Sequence, residues 1–391
     1  MAKLHIHRYE EEIIQDLGFA FAFTNSERNE LGCARKWYFS YAEGLGSKRT
    51  SHAFAWGIAW HIVMEDLFNF WKENDTEIYD DNPMFEESFG KIRTFLIEEE
   101  IDADPVVADL RIALKGYLKM HSNKPKHFKV LEVEVPLRYP IKDFRGEQFF
   151  STLYLEEFSE HYELAKPSSL HKIETDMPFY VIGRADAIVM NRTTGELFIY
   201  DHKTTSSIPR FLNTHEIDPQ LHSYAAMLEY EKTYGYLQKY KNNKIGGIIY
   251  GLTSNASTSE PNTLKNGAFS KAKSNKTPSW VYRDLIGNDE SYKDHLLYLE
   301  NEIDPLWHKN EWLFIQQESI ERWKKESYGI ARRLADMYRC LSLFENSEQW
   351  VAPRVPICKT TGFCQYKEVC INDSQIMRTN YKQENKLIWR K

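Results

Sequence analysis

No stretch of this 391-residue chain approaches the roughly 20 consecutive apolar residues that span a bilayer. Its start, MAKLHIHRYEEEII, holds no apolar run ending in a small-residue cleavage site, so a cytoplasmic protein with no membrane partner is expected. Positive charge is not in excess: 50 basic against 57 acidic side chains leave a formal net charge of −7. That balance argues against a protein that coats nucleic acid through bulk electrostatics, while leaving room for a local basic groove. Carboxylates gathered around metal ions would push the charge the same way. Cysteine is scarce, and five is an odd number, which fits a reducing compartment better than a disulfide framework. Cys33 stands alone near the start, whereas Cys340, Cys358, Cys364 and Cys370 fall in the last sixth of the chain.

The patterning predicts a mixed α/β fold. Residues 26–45 carry aromatic and basic residues at helical spacing, with Ser26 as a plausible N-cap and Gly44 as a stop. Residues 54–72 are apolar nearly all round, the signature of a helix buried on most faces. A further helical region covers 84–122, broken at Asp-Ala-Asp-Pro, residues 102–105. Residues 129–139 alternate as a strand. Residues 179–190 and 196–203 read as two more, joined by the turn Arg192-Thr-Thr-Gly195. A helix at about 218–232, opened by Asp218-Pro219, and a short buried strand at 245–252 follow. Residues 253–279 read as a mobile loop, with Lys265, Lys271, Lys273 and Lys276 against Glu260, and 292–346 as helical. The loop is either simply solvated or a flap that touches nucleic acid.

The hairpin carries the most information. With a four-residue turn at 192–195, cross-strand partners sum to 387, which sets Asp186 opposite Asp201. Facing side chains there lie roughly 4.5–5.5 Å apart at Cβ, and like charges so placed repel unless a cation separates them. Lys203, two residues beyond Asp201, projects from the same face. Two carboxylates and an ammonium group at one point suit phosphodiester hydrolysis, in which Mg²⁺ or Mn²⁺ binds the phosphate and activates water. A surface ion pair on an edge strand is the plain alternative. Gly57-x3-His61-x3-Glu65 adds a histidine and a glutamate on one face of the apolar helix. His61 is then either a core histidine with a partner or a third metal ligand supported by Glu65.

The segments GIAWHIVME (57–65), GRADAIV (183–189), DHKTT (201–205) and DPQLHSYAAML (218–228) resemble the motifs of PD-(D/E)XK nucleases, in the RecB/AddB/Cas4-like branch. The resemblance implies a restriction-endonuclease-like mixed sheet flanked by helices. It gives His61, Asp186 and Asp201 as metal ligands and Lys203 as the catalytic lysine. It also gives Gln220 and Tyr224 as a Q-x3-Y pair lining the site. A core tyrosine and a helix-start glutamine are the alternative for that pair.

Cys358-x5-Cys364-x5-Cys370 could share a metal, but a four-coordinate site needs a fourth thiolate. Cys33 is one candidate; Cys340 lies on the apolar stripe of a helix and reads better as a free cysteine. A subset of the family holds a [4Fe–4S] cluster with one cysteine before the nuclease core and three after it. Leu31-Gly-Cys-Ala-Arg-Lys-Trp-Tyr-Phe-Ser-Tyr41 and Gly362-Phe-Cys-Gln-Tyr-Lys-Glu-Val-Cys370 are similar to those cysteine segments. Those relatives usually leave two residues between the first pair of the trio, where this chain has five. Structural zinc on the same thiolates is the alternative cofactor. Such a centre would act as a C-terminal staple, fixing a long chain loop.

The expectation is one nuclease domain over 1–391: a helical part at 1–125, a catalytic core at 126–252, a loop at 253–279 and a helical, iron–sulfur part at 280–391. It would cut DNA as an exonuclease, from single-stranded ends, in recombination, repair, or phage- or CRISPR-related processing. The rival is a non-catalytic or partner-dependent scaffold of a recombination or CRISPR-adaptation complex.

Overall fold

The computed structural model describes residues 20–47, 50–158, 161–164, 172–213, 220–255, 260–272, 277–287, 289–343, 364–372, 378 and 381–383. The chain enters as strand β1 (Phe21–Thr24) and turns into α1 (Asn25–Glu30), whose first turn is capped by the Thr24 hydroxyl accepting from the Glu27 amide. One helix was expected over 26–45. Instead Gly32 and an extended Cys33 interrupt it, and α2 (Ala34–Trp37) and a π-helical turn (Tyr38–Ala42) follow. The cap is Thr24 rather than Ser26, and Gly44, at φ 66°, ends the segment before β2 (Leu45–Ser47).

Three helices come next, each opened by a side-chain cap: α3 (His52–Asn74) by Ser51, α4 (Pro83–Glu98) by Asn82 and α5 (Ala103–Met120) by Asp102. The strands β3 (Phe128–Pro140), β4 (Phe150–Phe158), β5 (His161–Leu164), β6 (Lys172–Asn191) and β7 (Leu197–Thr205) then run in sequence. After them come α6 (Ile208–Leu212), α7 (Gln220–Thr233), β8 (Ile245–Ser254), α8 (Ser279–Ile286), α9 (Lys293–Tyr298) and β9 (His308–Phe314). The long α10 (Gln317–Leu343), α11 (Lys367–Asn372) and β10 (Tyr381–Gln383) complete the described chain.

Eight of these strands make one mixed sheet in the order β5-β4-β6-β7-β8-β9, with β1 and β3 also hydrogen-bonded to β6. The β6–β7 pair is antiparallel, β7–β8 parallel and β8–β9 antiparallel. The strand expected at 179–190 starts earlier, at Lys172, and pairs with β4 over 172–178, with β4 and β5 preceding it. Two further expectations are corrected. Within the expected helical stretch 292–346, His308–Phe314 is an edge strand on β8, held by Trp312 packing edge-on to Phe198 at 4.9 Å between centroids. The expected loop 253–279 contains a small turn, with a bridge between Thr263 and Phe269; residues 256–259 and 273–276 lie outside the described ones.

Helices cover both faces of the sheet. On one, α3, α4 and α5 bury Trp56, Trp60, Phe68, Phe85, Ile92 and Leu110 against Phe198, Tyr200 and Ile249. On the other, α7, α10 and the α1–α2 segment bury Met227, Tyr338 and Trp37 against Ile188, Ile199 and Ile248. Burying a large apolar side chain contributes about 1.5–3 kcal/mol, so these two layers are the main source of stability. No helix among the described residues is long and apolar enough to cross a membrane.

The segment after the π-helical turn meets the end of the described chain in a separate two-stranded sheet. β10 pairs antiparallel with β2, the Tyr366 hydroxyl donates to the Leu45 carbonyl at 2.7 Å, and Arg378 holds Glu43 through two bonds of 2.8 Å.

Candidate active site

The β6–β7 hairpin pairs Ala187 with Tyr200, Ile188 with Ile199, Val189 with Phe198 and Met190 with Leu197, each pair summing to 387. Its turn closes with the Asn191 amide on the Glu196 carbonyl at 2.9 Å. The next pair outward would be Asp186 and Asp201, but the ladder stops one step short. β7 leaves β6 there and continues beside β8 from Asp201↔Tyr250 to Thr205↔Ser254. The His202 amide donates to Asp186 Oδ2 at 2.6 Å instead of to a backbone carbonyl.

The same edge of β6 is occupied lower down by β1, which pairs with Phe179–Ile182. The residues between the two partners are Gly183–Asp186, so GRAD marks a notch where β1 and β7 diverge. The start of α7 fills it. The Tyr224 hydroxyl donates to the Arg184 carbonyl at 2.8 Å, supplying the partner a strand would have given. Gly183 permits that approach, since a Cβ there would lie 3.0 Å from Tyr224 Cε1.

Across the other edge, Val133↔Ala187 and Val135↔Ala185 flank Glu134 and Asp186. Glu134 has φ 52°, a left-handed conformation uncommon outside glycine. The consequence is a switch of faces. Val133 packs toward the α3–α5 layer and Val135 toward the α7–α10 layer, although alternation would keep them together. Ala185 and Ala187 divide in the same way on β6. The acids therefore lie at the row where the sheet turns over. Glu134 is held by Arg184 Nε at 2.8 Å. Sequence reading passed over this third acid; the available signal was a carboxylate set mid-strand between valines.

The helix α3 reaches the row from the opposite face. Gly57 lies against β7, where a Cβ would be 3.1 Å from Thr204 Oγ1, and one turn later His61 Nδ1 stands 3.5 Å from Asp186 Oδ2. Glu65, a turn further on, acts electrostatically on Glu134. On the α7 side, Lys203 Nζ lies 2.7 Å from Asp201 Oδ2 and donates to Gln220 Oε1 at 3.0 Å. Gln220 in turn donates to the Tyr224 hydroxyl at 2.9 Å. The structure thus brings His61, Asp186, Asp201, Lys203, Gln220 and Tyr224 to one place.

The electrostatics follow from burial. Burial and the charge of Asp186 push Asp201 up to about 6, against the pull of Lys203. Burial and the charges of Asp186 and Glu65 push Glu134 up to about 8, against Arg184 and His61. Asp186 is the exception: burial would raise it, but His61 and the ring and amide of His202 hold it well below the usual carboxylate range. Asp186 in turn raises His61, against the effect of burial. His202 itself points into the apolar layer between Phe68 and Tyr200 and is driven down to about 3 by burial.

Among the described residues no group of three or more His, Cys, Asp and Glu side chains is arranged as a metal-ion site. His61 and Lys203 lie against the two carboxylates instead. The donor chemistry nevertheless fits a hard divalent cation, because Asp186 repels both Glu134 and Asp201 in a buried row that a cation would neutralise.

Of the cysteines, Cys364 and Cys370 join one small cluster with Phe39, Leu45, Tyr366 and Val369. Cys33 opens α2, in the segment that leads to Phe39. Cys340 is half-buried at the margin of the sheet core. Cys358 lies outside the described residues.

No curated protein matches this chain. A family model does, over residues 29–371, a span that takes in α3, the acid row, the α7 pair, Cys364 and Cys370: the chain belongs to the PD-(D/E)XK nuclease superfamily.

Proposed function

We propose that the protein is a metal-dependent deoxyribonuclease of the RecB/AddB/Cas4-like branch, acting on single-stranded DNA ends. The observation that carries this is the notch at Gly183–Asp186, around which Asp186, Asp201, Lys203 and the Gln220–Tyr224 pair converge.

Asp186, Asp201 and His61 would hold Mg²⁺ or Mn²⁺, with Glu134 close by. The ion would supply Lewis acidity toward the phosphate and lower the pKa of an attacking water. The chain's own groups do the rest. Lys203 offers an ammonium beside Asp201 that offsets charge growing on the phosphate oxygens. Gln220 fixes that ammonium and Tyr224 fixes Gln220, so the lysine is preorganised by a chain of hydrogen bonds ending on the Arg184 carbonyl. The apolar layer beneath His202 keeps bulk water from the underside of the site.

We further propose that Cys33, Cys358, Cys364 and Cys370 hold a [4Fe–4S] cluster, with structural zinc as the alternative. Its support is the packing of the Cys364–Cys370 segment against Phe39 and Leu45, close in sequence to Cys33.

The deciding assay uses purified full-length protein with Mn²⁺ and end-labelled single- and double-stranded DNA, linear and circular. Loss of the linear single strand with the circle spared is expected. Failure to cut any of the four with Mn²⁺ or Mg²⁺ would overturn the reading.

A further inference from the structure

Phe54 is 61 % exposed although it sits inside the first two turns of α3, where the Ser51 hydroxyl accepting from its amide fixes the backbone. Single exposed aromatics are common on protein surfaces and carry no message by themselves. The position of this one does. Residues seven apart on a helix fall within about 20° of one another, so Phe54 shares a face with His61. Between them lie Gly57, which abuts Thr204 of β7, and Ile58, itself only half-buried. α3 runs antiparallel to β7, because Gly57 meets Thr204 and Asp75 at the far end meets Arg192 of the hairpin turn. The phenyl ring therefore projects beyond the C-terminal end of β7, on the approach to the acid row.

About seven residues of helix span about 10 Å. That distance is the reach of one to two nucleotides of an extended strand. We infer that Phe54 is a stacking platform for a nucleobase adjacent to the scissile phosphate, a positioning residue that selects unpaired DNA. A base can lie face-on to the ring only when its duplex neighbour is absent, and stacking is tolerant of sequence because every base has a π-face. Ile58 continues the apolar surface under the sugar. This inference rests on the nuclease reading above and names the substrate feature that the site would recognise.

The test compares wild type, Phe54→Ala and Phe54→Trp on a single-stranded oligonucleotide, normal or carrying one abasic position scanned through the first three nucleotides beside the cut. Phe54→Ala should raise KM by about tenfold with kcat little changed, within the range of base–aromatic stacking. Phe54→Trp should restore it. At one abasic position, wild type should lose the same factor and Phe54→Ala should lose nothing further. Binding of an oligonucleotide bearing 2-aminopurine, followed by its quenching, reads stacking without any cleavage. Wild type that quenches the probe but cuts nothing would sink the nuclease reading and keep the platform. Equal KM for wild type and Phe54→Ala, additive abasic and alanine losses, or unquenched probe in wild type would each overturn it.

Discussion

The Asp186 carboxylate accepts the His202 backbone amide at 2.6 Å, across the step where β6 and β7 part. One side chain thus does a strand's structural work and also faces the candidate catalytic space. Asp201, its neighbour across the hairpin, has no such duty, and the two acids should therefore respond differently to mutation.

Both Asp186→Ala and Asp201→Asn should abolish cleavage. Asp201→Asn should melt higher than wild type without divalent metal, because burial and Asp186 make the Asp201 charge unfavourable. Asp186→Ala should melt lower, by the roughly 1–3 kcal/mol of an unsatisfied buried amide. Asp186→Asn keeps an acceptor and should melt near wild type while still failing to cut. Paired melting and cleavage measurements test this; retained activity in Asp201→Asn would remove that residue from the site.

His61 brings an imidazole to a site otherwise built of oxygen donors, and nitrogen donors suit Mn²⁺ better than Mg²⁺. His61→Ala should shift the Mn²⁺ midpoint for activity to higher concentration more than it lowers the rate at saturating metal. A Mn²⁺ titration of both proteins decides it. An unchanged midpoint would leave His61 as a partner of Asp186 alone and turn attention to Glu134.

Tyr224→Phe removes the donor to the Arg184 carbonyl and the anchor of Gln220. A loss of about 1–3 kcal/mol in denaturant melts is expected for the stranded carbonyl. A fall in kcat at unchanged metal affinity should accompany it, because Lys203 loses its second support. Wild-type stability would show that the notch does not depend on this hydroxyl.

His121 and His308 are buried on the α5–β9 side and are each driven down to about 3 by burial. The unfolded chain takes a proton near pH 6.5 and the folded chain refuses it until about pH 3. Their contribution is therefore complete above about pH 6.5 and is lost as the pH falls, by up to about 1.4 kcal/mol per pH unit each. Asp201 and Glu134, raised rather than lowered, act in the opposite sense. The comparison must hence be made between wild type and His121→Gln. The variant should show a shallower fall in melting temperature between pH 7 and pH 5, and parallel curves would contradict the assignment.

Anaerobically purified protein should be brown. Cys33→Ser should bleach it, whereas Cys340→Ser, altered at the margin of the core, should leave the colour intact. Colourless protein with stoichiometric zinc would transfer the site to the alternative cofactor.

The hairpin was legible because a four-residue turn and a period of two fix register by counting alone. The helix carrying His61 was legible from its apolar composition, and only its ends moved. What escaped has a common cause: it depends on partners distant in the chain. The strand at His308–Phe314 carries four charged or polar residues in seven, and only an edge position beside β8 makes that acceptable. The first half of β6 needed β4, and β1 needed β6. Glu134 was hidden more deeply. Its left-handed backbone reverses the alternation of β3, so the pattern that announces the strand also conceals which of its acids turns toward Asp186.

The pairing of β2 with β10 has a consequence for synthesis. Leu45–Ser47 finds its partner only at Tyr381–Gln383, more than 300 residues later in the chain. At the ribosome's pace of about 5–20 residues per second, that is a wait of about 15–70 s. Trp37 and Glu27 wait nearly as long for Tyr338, whose hydroxyl meets Glu27 at 3.0 Å. During that interval the aromatic segment around Cys33 is made but lacks its late partners, so its large apolar side chains stay open to non-native contacts until Tyr338 and Tyr381–Gln383 emerge.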